Sequence, residues 1–326
     1  MEKFQGKLTK IIGDASFRQF YRLKKDSKTT IIVKTKKDKY KNLVAYSAIN
    51  KFLKKNNILA PQTKFYNINK GIIEIDDFGD ISFSKYIGKK NKYNSYKKLV
   101  KLLLKIQKIK IKKKINLFST YKVKLDFYNK KNLHKESDLF FDWYLLSMIG
   151  KRQTKKYKKI IKRELNKIYD KIYFKNNYFV HRDFHAANFM IFKGRIGVID
   201  TQDAIIGNPS YDLASLVDDV RIKTSFKFKE KLFNFYLSNA PKELKAKSKE
   251  FKNDFDILSV QRSLKILGIF YRLYKRDKKK KYLKFMPYTW KLIEIRLKNS
   301  LLKNLKLLLD EVVAKKERKK VIFKWK

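Results

Sequence analysis

The stretch HRDFHAAN stands at residues 181–188, and GVIDTQDA follows at 197–204. The chain has three histidines, and two of them lie in this one octapeptide. Phosphoryl transfer asks for groups of this kind. It needs a carboxylate to orient an attacking hydroxyl and accept its proton, and hard oxygen ligands for a magnesium ion that bridges the phosphates. Asp183 suits the first task. Asn188, five residues on, and Asp200, beyond a short turn, suit the second. Two other readings stand beside this one. Asp183 and Asn188 both favour turns and could be turn formers alone. His181, Asp183 and His185 alternate and could face a zinc ion. Zinc, however, prefers further nitrogen or sulfur ligands, and the chain offers only His134 and no cysteine.

Such oxygens must be held in fixed relation. The short extended pieces YFV, FMIF and RIGVI around the octapeptide can do this, and the whole reads as a kinase catalytic loop. Upstream, the first eighty residues alternate like a sheet. SFRQFYRL (16–23), the β-branched run TTIIVKT (29–35), and TKFYNI and GIIEID flanking the turn NKG read as strands. One helix is expected at about 40–55, with Leu43, Tyr46, Ile49, Phe52 and Leu53 on its apolar face. After DDFGD, lysine-laced helical patterns take over, among them 155–172. They pause once, at 178–200, and resume from about 210. The expectation is an α+β, bilobal, protein-kinase-like fold. Residues 1–80 form a small antiparallel-sheet lobe with one helix, and 81–326 a mainly helical lobe, with a hinge near 74–82.

The 326 residues include 44% hydrophobic and 15% aromatic side chains, enough for two packed lobes and unlike a disordered composition. The absence of cysteine excludes a disulfide scaffold, a thiolate metal site and a cysteine nucleophile. No apolar run approaches the length of a membrane-spanning helix, and the first residues lack the core of a signal peptide. The formal net charge is +52. That balance raises nucleic acid as a partner, but the lysines are spread along the chain. They read as a solvated surface, and nucleic acid is not taken as the partner. The basic end, KKERKKVIFKWK, reads the same way.

HRDFHAAN with GVIDTQDAIIGNPSYDLASL resembles the aminoglycoside phosphotransferase and choline kinase group. GDASFRQFYRL (13–23), ESDLFFDWYL (136–145), GNPSYDLASLVDD (207–219) and QRSLKILGIFYRL (261–273) look like the cell-wall sugar kinases of that group. Those enzymes phosphorylate the anomeric hydroxyl of N-acetylmuramic acid and N-acetylglucosamine. The resemblance implies ATP and Mg2+ as cofactors, held between the lobes, a small sugar as partner and a cytoplasmic location. It makes Asp183 the catalytic base and Asn188 and Asp200 the metal ligands, with His181 and Arg182 structural. It makes Asp212 a buried brace of the catalytic loop. GDASF takes the place of a glycine-rich loop, so Ser16 and Phe17 face the phosphates, and Glu74, Ile75, Asp76 and Asp77 hold adenine by their backbone. Residues from Glu136 to Trp143 border the sugar, as do His185, Gln202 and Asp203.

This chain departs from the family pattern in two places. Thr201 stands where an aromatic residue commonly follows the metal carboxylate. Lys34 sits where a kinase lysine meets the α- and β-phosphates and pairs with a helix glutamate. The helix at 40–55 has no acidic residue, so Lys34 is either a phosphate ligand without that pair or an ordinary strand lysine. Asp77-Phe78-Gly79 spells the metal motif of protein kinases but precedes Asp183 by about a hundred residues, so it reads as hinge. Two alternatives to the sugar kinase are a kinase of another small alcohol, such as an aminoglycoside or choline, and a non-catalytic, basic binding module.

Overall fold

The protein is described here from a computed structural model, over residues 6–11, 18–36, 39–87, 91–111, 114–117 and 121–321. Ser16 and Phe17 lie outside these residues. Five strands form one sheet: β1 (Lys7–Ile11), β2 (Gln19–Lys25), β3 (Lys28–Lys34), β4 (Thr63–Asn67) and β5 (Ile72–Asp76). Their order is β1-β2-β3-β5-β4, antiparallel throughout. β3 and β5 are the interior strands next to each other. Their β-branched runs bury Ile31, Ile32 and Val33 on one strand and Ile72, Ile73 and Ile75 on the other, on both faces of the pleat. β1 is a lysine-bearing edge strand, which keeps that edge from pairing with another chain. Sequence reading had placed no strand there.

Helix α1 spans Tyr40–Lys55, and all five residues of its expected apolar face are buried. Full burial of Leu43, Ile49 and Leu53 stabilises the fold by about 1.5–3 kcal/mol each. Ser47 accepts a 2.7 Å hydrogen bond from Thr63 on β4, and Asn50 Nδ2 donates to the Pro61 carbonyl at 2.9 Å. After α2 (Phe83–Ile87) and α3 (Lys92–Gln107), the helices pause at an antiparallel hairpin, β6 (Lys114–Leu117) with β7 (Tyr121–Lys124), packed on α1. The expectation of a single pause at 178–200 is corrected here. In YKVK the lysines fall on every second residue, exposed, while Tyr121 and Val123 are half-buried, a period of two.

The chain divides into two compact units. One comprises residues 1–98, 105–126 and 181–206, and the other 99–104, 127–180 and 207–326. The first holds the sheet, α1 and the hairpin of β9 (Phe189–Phe192) with β10 (Arg195–Val198); β8 (Tyr178–Val180) precedes that hairpin in the chain. The second is built from α4 (Lys130–Leu139), a π-helical turn at Phe140–Leu145, α5 (Leu146–Tyr169), α6 (Ser210–Val217), α7 (Phe226–Asn239), α8 (Lys242–Ala246), α9 (Ser248–Lys275) and α10 (Met286–Arg296). α9 is its axis. It packs against α4, the π-turn, α6 and α10. Gly268 permits a close approach to the end of α4: a Cβ there would lie 2.2 Å from the Leu139 carbonyl. The α+β class expected from the sequence holds. Among the described residues no helix is long and apolar enough to cross a membrane.

One ion cluster pins the helical unit. Arg296 on α10 grips both oxygens of Asp218, at 2.8 and 3.0 Å, and Ser259 of α9 donates at 2.6 Å. Lys229 of α7 lies 3.3 Å from Asp218 Oδ1. Burial opposes the charge on Asp218, but Arg296 and Lys229 outweigh it and hold the carboxyl well below the usual carboxylate range.

Candidate active site

Residues 181–188 form a loop tied to the base of the β9–β10 hairpin. His181 is buried. Its Nε2 donates to the Ile199 carbonyl at 2.9 Å, and its Nδ1 accepts from the Asp183 N–H at 3.3 Å. With both ring nitrogens so engaged, His181 cannot ligate zinc, and among the described residues no group of three His, Asp or Glu side chains could hold a metal. Phe184 is fully buried and meets Phe189 edge-on at 4.6 Å, which anchors the middle of the loop. The Asp183 carbonyl accepts from the His185 N–H and from Asn188 Nδ2, both at 2.9 Å. The Asn188 carbonyl accepts from the Ile199 N–H at 3.1 Å. The amide nitrogen of Asn188 is therefore committed, and its oxygen is the atom left for a cation.

Arg182 and Asp200, each beside or within this loop system, have left-handed backbones with φ of 72° and 62°. Non-glycine residues adopt this region only when their surroundings impose it, and such positions gather at functional sites. Arg182 Nη1 donates to the Asp203 carbonyl at 3.4 Å. Asp200 Oδ1 accepts from Arg18 Nη2 and, at 3.0 Å, from Gln202 Nε2. Arg18 Nη1 donates to Gln202 Oε1 at 2.9 Å, and Gln202 Nε2 also reaches Asp203 Oδ2 at 3.0 Å. Asp200 Oδ2 accepts no hydrogen bond among the described residues. An aspartate oxygen and an amide oxygen are the hard donors Mg2+ takes when phosphates and water complete its shell, so Asn188 and Asp200 fit that ion.

Thr201 is buried and donates to Asn50 Oδ1 on α1 at 2.6 Å. Helix α1 thus reaches the residue beside Asp200 through a neutral hydrogen bond. Asn50 in turn accepts at its own carbonyl from Gln62 Nε2 at 3.1 Å. The hydroxyl of Thr201, where an aromatic ring was the family pattern, is what makes this tie.

The remaining residues of the first unit sit on the sheet. Lys34 ends β3, is exposed and makes no ion pair among the described residues. Glu74 and Ile75 are paired with β3 on one side and β4 on the other, and the Asp76 N–H donates to the Gln62 carbonyl at 3.1 Å. The Glu74 carboxylate accepts from Thr30 at 2.7 Å. Backbone not committed to the sheet begins at Asp77. That carboxylate is clamped by Arg22 at 2.6 and 3.2 Å and by the Gly79 N–H at 2.8 Å. Burial opposes its charge, but these donors prevail and hold it below its ordinary value. Phe78 stacks on Phe192 at 4.9 Å and lies so close to Gly197 that a Cβ there would sit 2.5 Å from its ring. The Asp-Phe-Gly segment thus fastens the sheet to the hairpin that carries Asp200.

The other named residues belong to the second unit. Asp212 is completely buried in α6. Asn208, just ahead of that helix, accepts from the Ser210 N–H at 2.9 Å while its Nδ2 donates to Asp254 at 2.7 Å. Glu136 is buried on α4. It accepts from Tyr128, from Lys265 Nζ at 2.9 Å and from Gln261 Nε2 at 3.2 Å. Trp143 is half-buried in the π-turn, whereas its neighbour Tyr144 is core and accepts from Trp290 Nε1 at 2.8 Å. Sequence reading did not single out Arg18, Asn50 or Lys265. Arg18 had a signal: arginine is scarce in this chain, and its planar fork suits a carboxylate in a way lysine does not.

Comparison with known proteins gives the family. The model of the Phosphotransferase enzyme family matches residues 7–246. An N-acetylmuramate/N-acetylglucosamine kinase of Neisseria meningitidis is 29% identical over 288 residues, covering 86% of this chain and 82% of that protein. A kinase of the same name from Pseudomonas putida is 26% identical, covering 86% and 81%. A choline/ethanolamine kinase family protein from Mesorhizobium loti shares the fold, with a TM-score of 0.61 at 12% identity over 95% of this chain and 94% of that one. So does the ADP-bound aminoglycoside phosphotransferase APH(2'')-Ib, with a TM-score of 0.58 at 16% identity over 88% and 92%. The chain belongs to the phosphotransferase enzyme family, and it is an enzyme that phosphorylates an alcohol group.

Proposed function

We propose that the protein is an ATP-dependent sugar kinase that transfers the γ-phosphoryl group to the anomeric hydroxyl of N-acetylmuramic acid or N-acetylglucosamine. The observation that carries this reading is the match, along 86% of the chain, to kinases named for these two sugars. The loop chemistry supports it. Asp183 orients the sugar hydroxyl and accepts its proton. Asn188 and Asp200 hold magnesium, which when bound neutralises charge on the phosphates. His181 and Phe184 keep Asp183 in place through the loop backbone. Nucleotide binding is assigned to residues 1–80, with Ser16, Phe17, Lys34 and the Glu74–Asp77 segment toward the nucleotide. Catalysis and sugar binding are assigned to 81–326, with Glu136, Trp143, His185, Gln202 and Asp203 toward the sugar and Asp212 and Arg182 structural. This functional division cuts across the two compact units, because residues 181–206 fold with the sheet. A cytoplasmic enzyme would meet both ATP and recycled sugar there.

Phosphorus NMR of the protein with Mg-ATP and either sugar tests the assignment. A sugar 1-phosphate resonance should grow in, and Asp183→Asn should slow its formation by about 10²–10⁴-fold, the usual worth of a general base. Folded, ATP-binding protein that makes no product from either sugar would remove the sugar assignment.

A further inference from the structure

Arg18 forms a closed ring with Asp200 and Gln202. Its Nη2 donates to Asp200 Oδ1, its Nη1 to Gln202 Oε1 at 2.9 Å, and Gln202 Nε2 returns to Asp200 Oδ1 at 3.0 Å. The guanidinium is the covered partner. Its side chain is 8% exposed and that of Asp200 37%. It lies 5.5 Å from the centre of the Phe20 ring and 6.0 Å from that of Tyr46. Arginine does not lose its proton, so it can leave a carboxylate only by displacement. A divalent cation arriving at Asp200 is the displacing charge, and a released guanidinium beside it matches phosphate oxygens with two parallel N–H groups. The usual phosphate lysine has no acidic partner in helix α1, and Lys34 is exposed without an ion pair among the described residues. The cation already held beside the metal carboxylate is Arg18.

We propose that Arg18 is the resident counter-charge of Asp200: it neutralises the carboxylate while nucleotide is absent and passes to the phosphates when the metal takes its place. This rests on the Mg-ATP reading above. It makes Arg18 a residue that couples metal entry to phosphate binding, with Gln202 as the positioning residue that holds both ends. Two affinities should then move in opposite directions when Arg18 is removed.

The test uses Mn2+ as the probe, followed by electron paramagnetic resonance on the nucleotide-free full chain, and a fluorescent ADP analogue with Mg2+ in a second titration. Arg18→Met should bind Mn2+ roughly tenfold more tightly and the Mg-nucleotide roughly tenfold more weakly, within the ordinary range of coupling between two sites. Arg18→Lys, which keeps the charge, should leave Mn2+ affinity near that of the wild type. Gln202→Leu should strengthen Mn2+ binding in the same direction by a smaller factor, which keeps the test decisive if Arg18→Met melts early by circular dichroism. Unchanged or weakened Mn2+ binding in both Arg18→Met and Gln202→Leu would overturn the role of Arg18, provided Asp200→Asn abolishes it. Full Mn2+ binding by Asp200→Asn would overturn the metal assignment and the proposal together.

Discussion

Asp200 and Asp218 are both aspartates gripped by an arginine, and they differ in almost everything else. Asp218 has a side chain 2% exposed, both oxygens filled, a two-pronged arginine, a lysine and a serine around it. Asp200 is partly exposed, is held among the described residues at one oxygen only, and sits on a left-handed backbone. A buried charge that loses its partner is left in low dielectric with no water to replace it, so the Asp218 cluster is permanent. A half-exposed carboxylate with an open oxygen can exchange one cation for another. The same two residue types thus make a rivet in the helical unit and a changeable contact beside the 181–188 loop.

Substitutions can break this contrast. Asp200→Asn should lower kcat on the order of 10³-fold by weakening the metal, while the melting temperature stays within a degree or two of the wild type. A large drop in melting temperature with kcat nearly intact would reverse the roles. Arg296→Leu should do the opposite, costing about 3–5 kcal/mol in urea unfolding because Asp218 is left buried with only Lys229 and the Ser259 hydroxyl against its charge, among the described residues. A loss under 1 kcal/mol would show that the cluster is no rivet. Acid sharpens the same distinction. The folded Asp218 titrates below its unfolded value, so its contribution is complete above about pH 4 and drains away as pH falls through the folded-state value. Stability of Asp218→Asn should therefore fall less steeply below pH 4 than that of the wild type, and parallel curves would contradict this. Thr201→Val, which leaves Asn50 Oδ1 buried without its donor, should cost about 1–3 kcal/mol, and Thr201→Ser should restore most of it.

The parts of this molecule that could be read from sequence are those whose determinants lie close together along the chain. The apolar stripe of α1 and the β-branched runs of β3 and β5 are local patterns, and the elements match them. Asp183, Asn188 and Asp200 could be singled out because one short loop and hairpin carry all three. β1 and the β6–β7 hairpin were hidden because lysine is the default surface residue here and fits the exposed side of either a helix or a strand. The π-turn depends on a missing side chain at Gly268, more than a hundred residues away. Arg18 reaches Asp200 across 182 positions of sequence. Yet twelve arginines stand among the 82 basic residues. Arg18, Arg22, Arg296 and Arg318 each grip a carboxylate. In a lysine-saturated chain the rare basic residue marks the places where geometry matters.

The left-handed backbone at Asp200 has a consequence for how this protein responds to selection. Glycine would occupy φ of 62° at no steric cost, whereas aspartate carries a penalty on the order of 1 kcal/mol. Asp200→Gly would relieve that penalty but would also remove the carboxylate that Arg18, 8% exposed, grips, so a library of variants chosen for heat tolerance alone has no reason to drift toward glycine. In directed evolution of this enzyme the strained backbone is thus retained by the side chain it presents, and aspartate at this position survives even a screen blind to turnover.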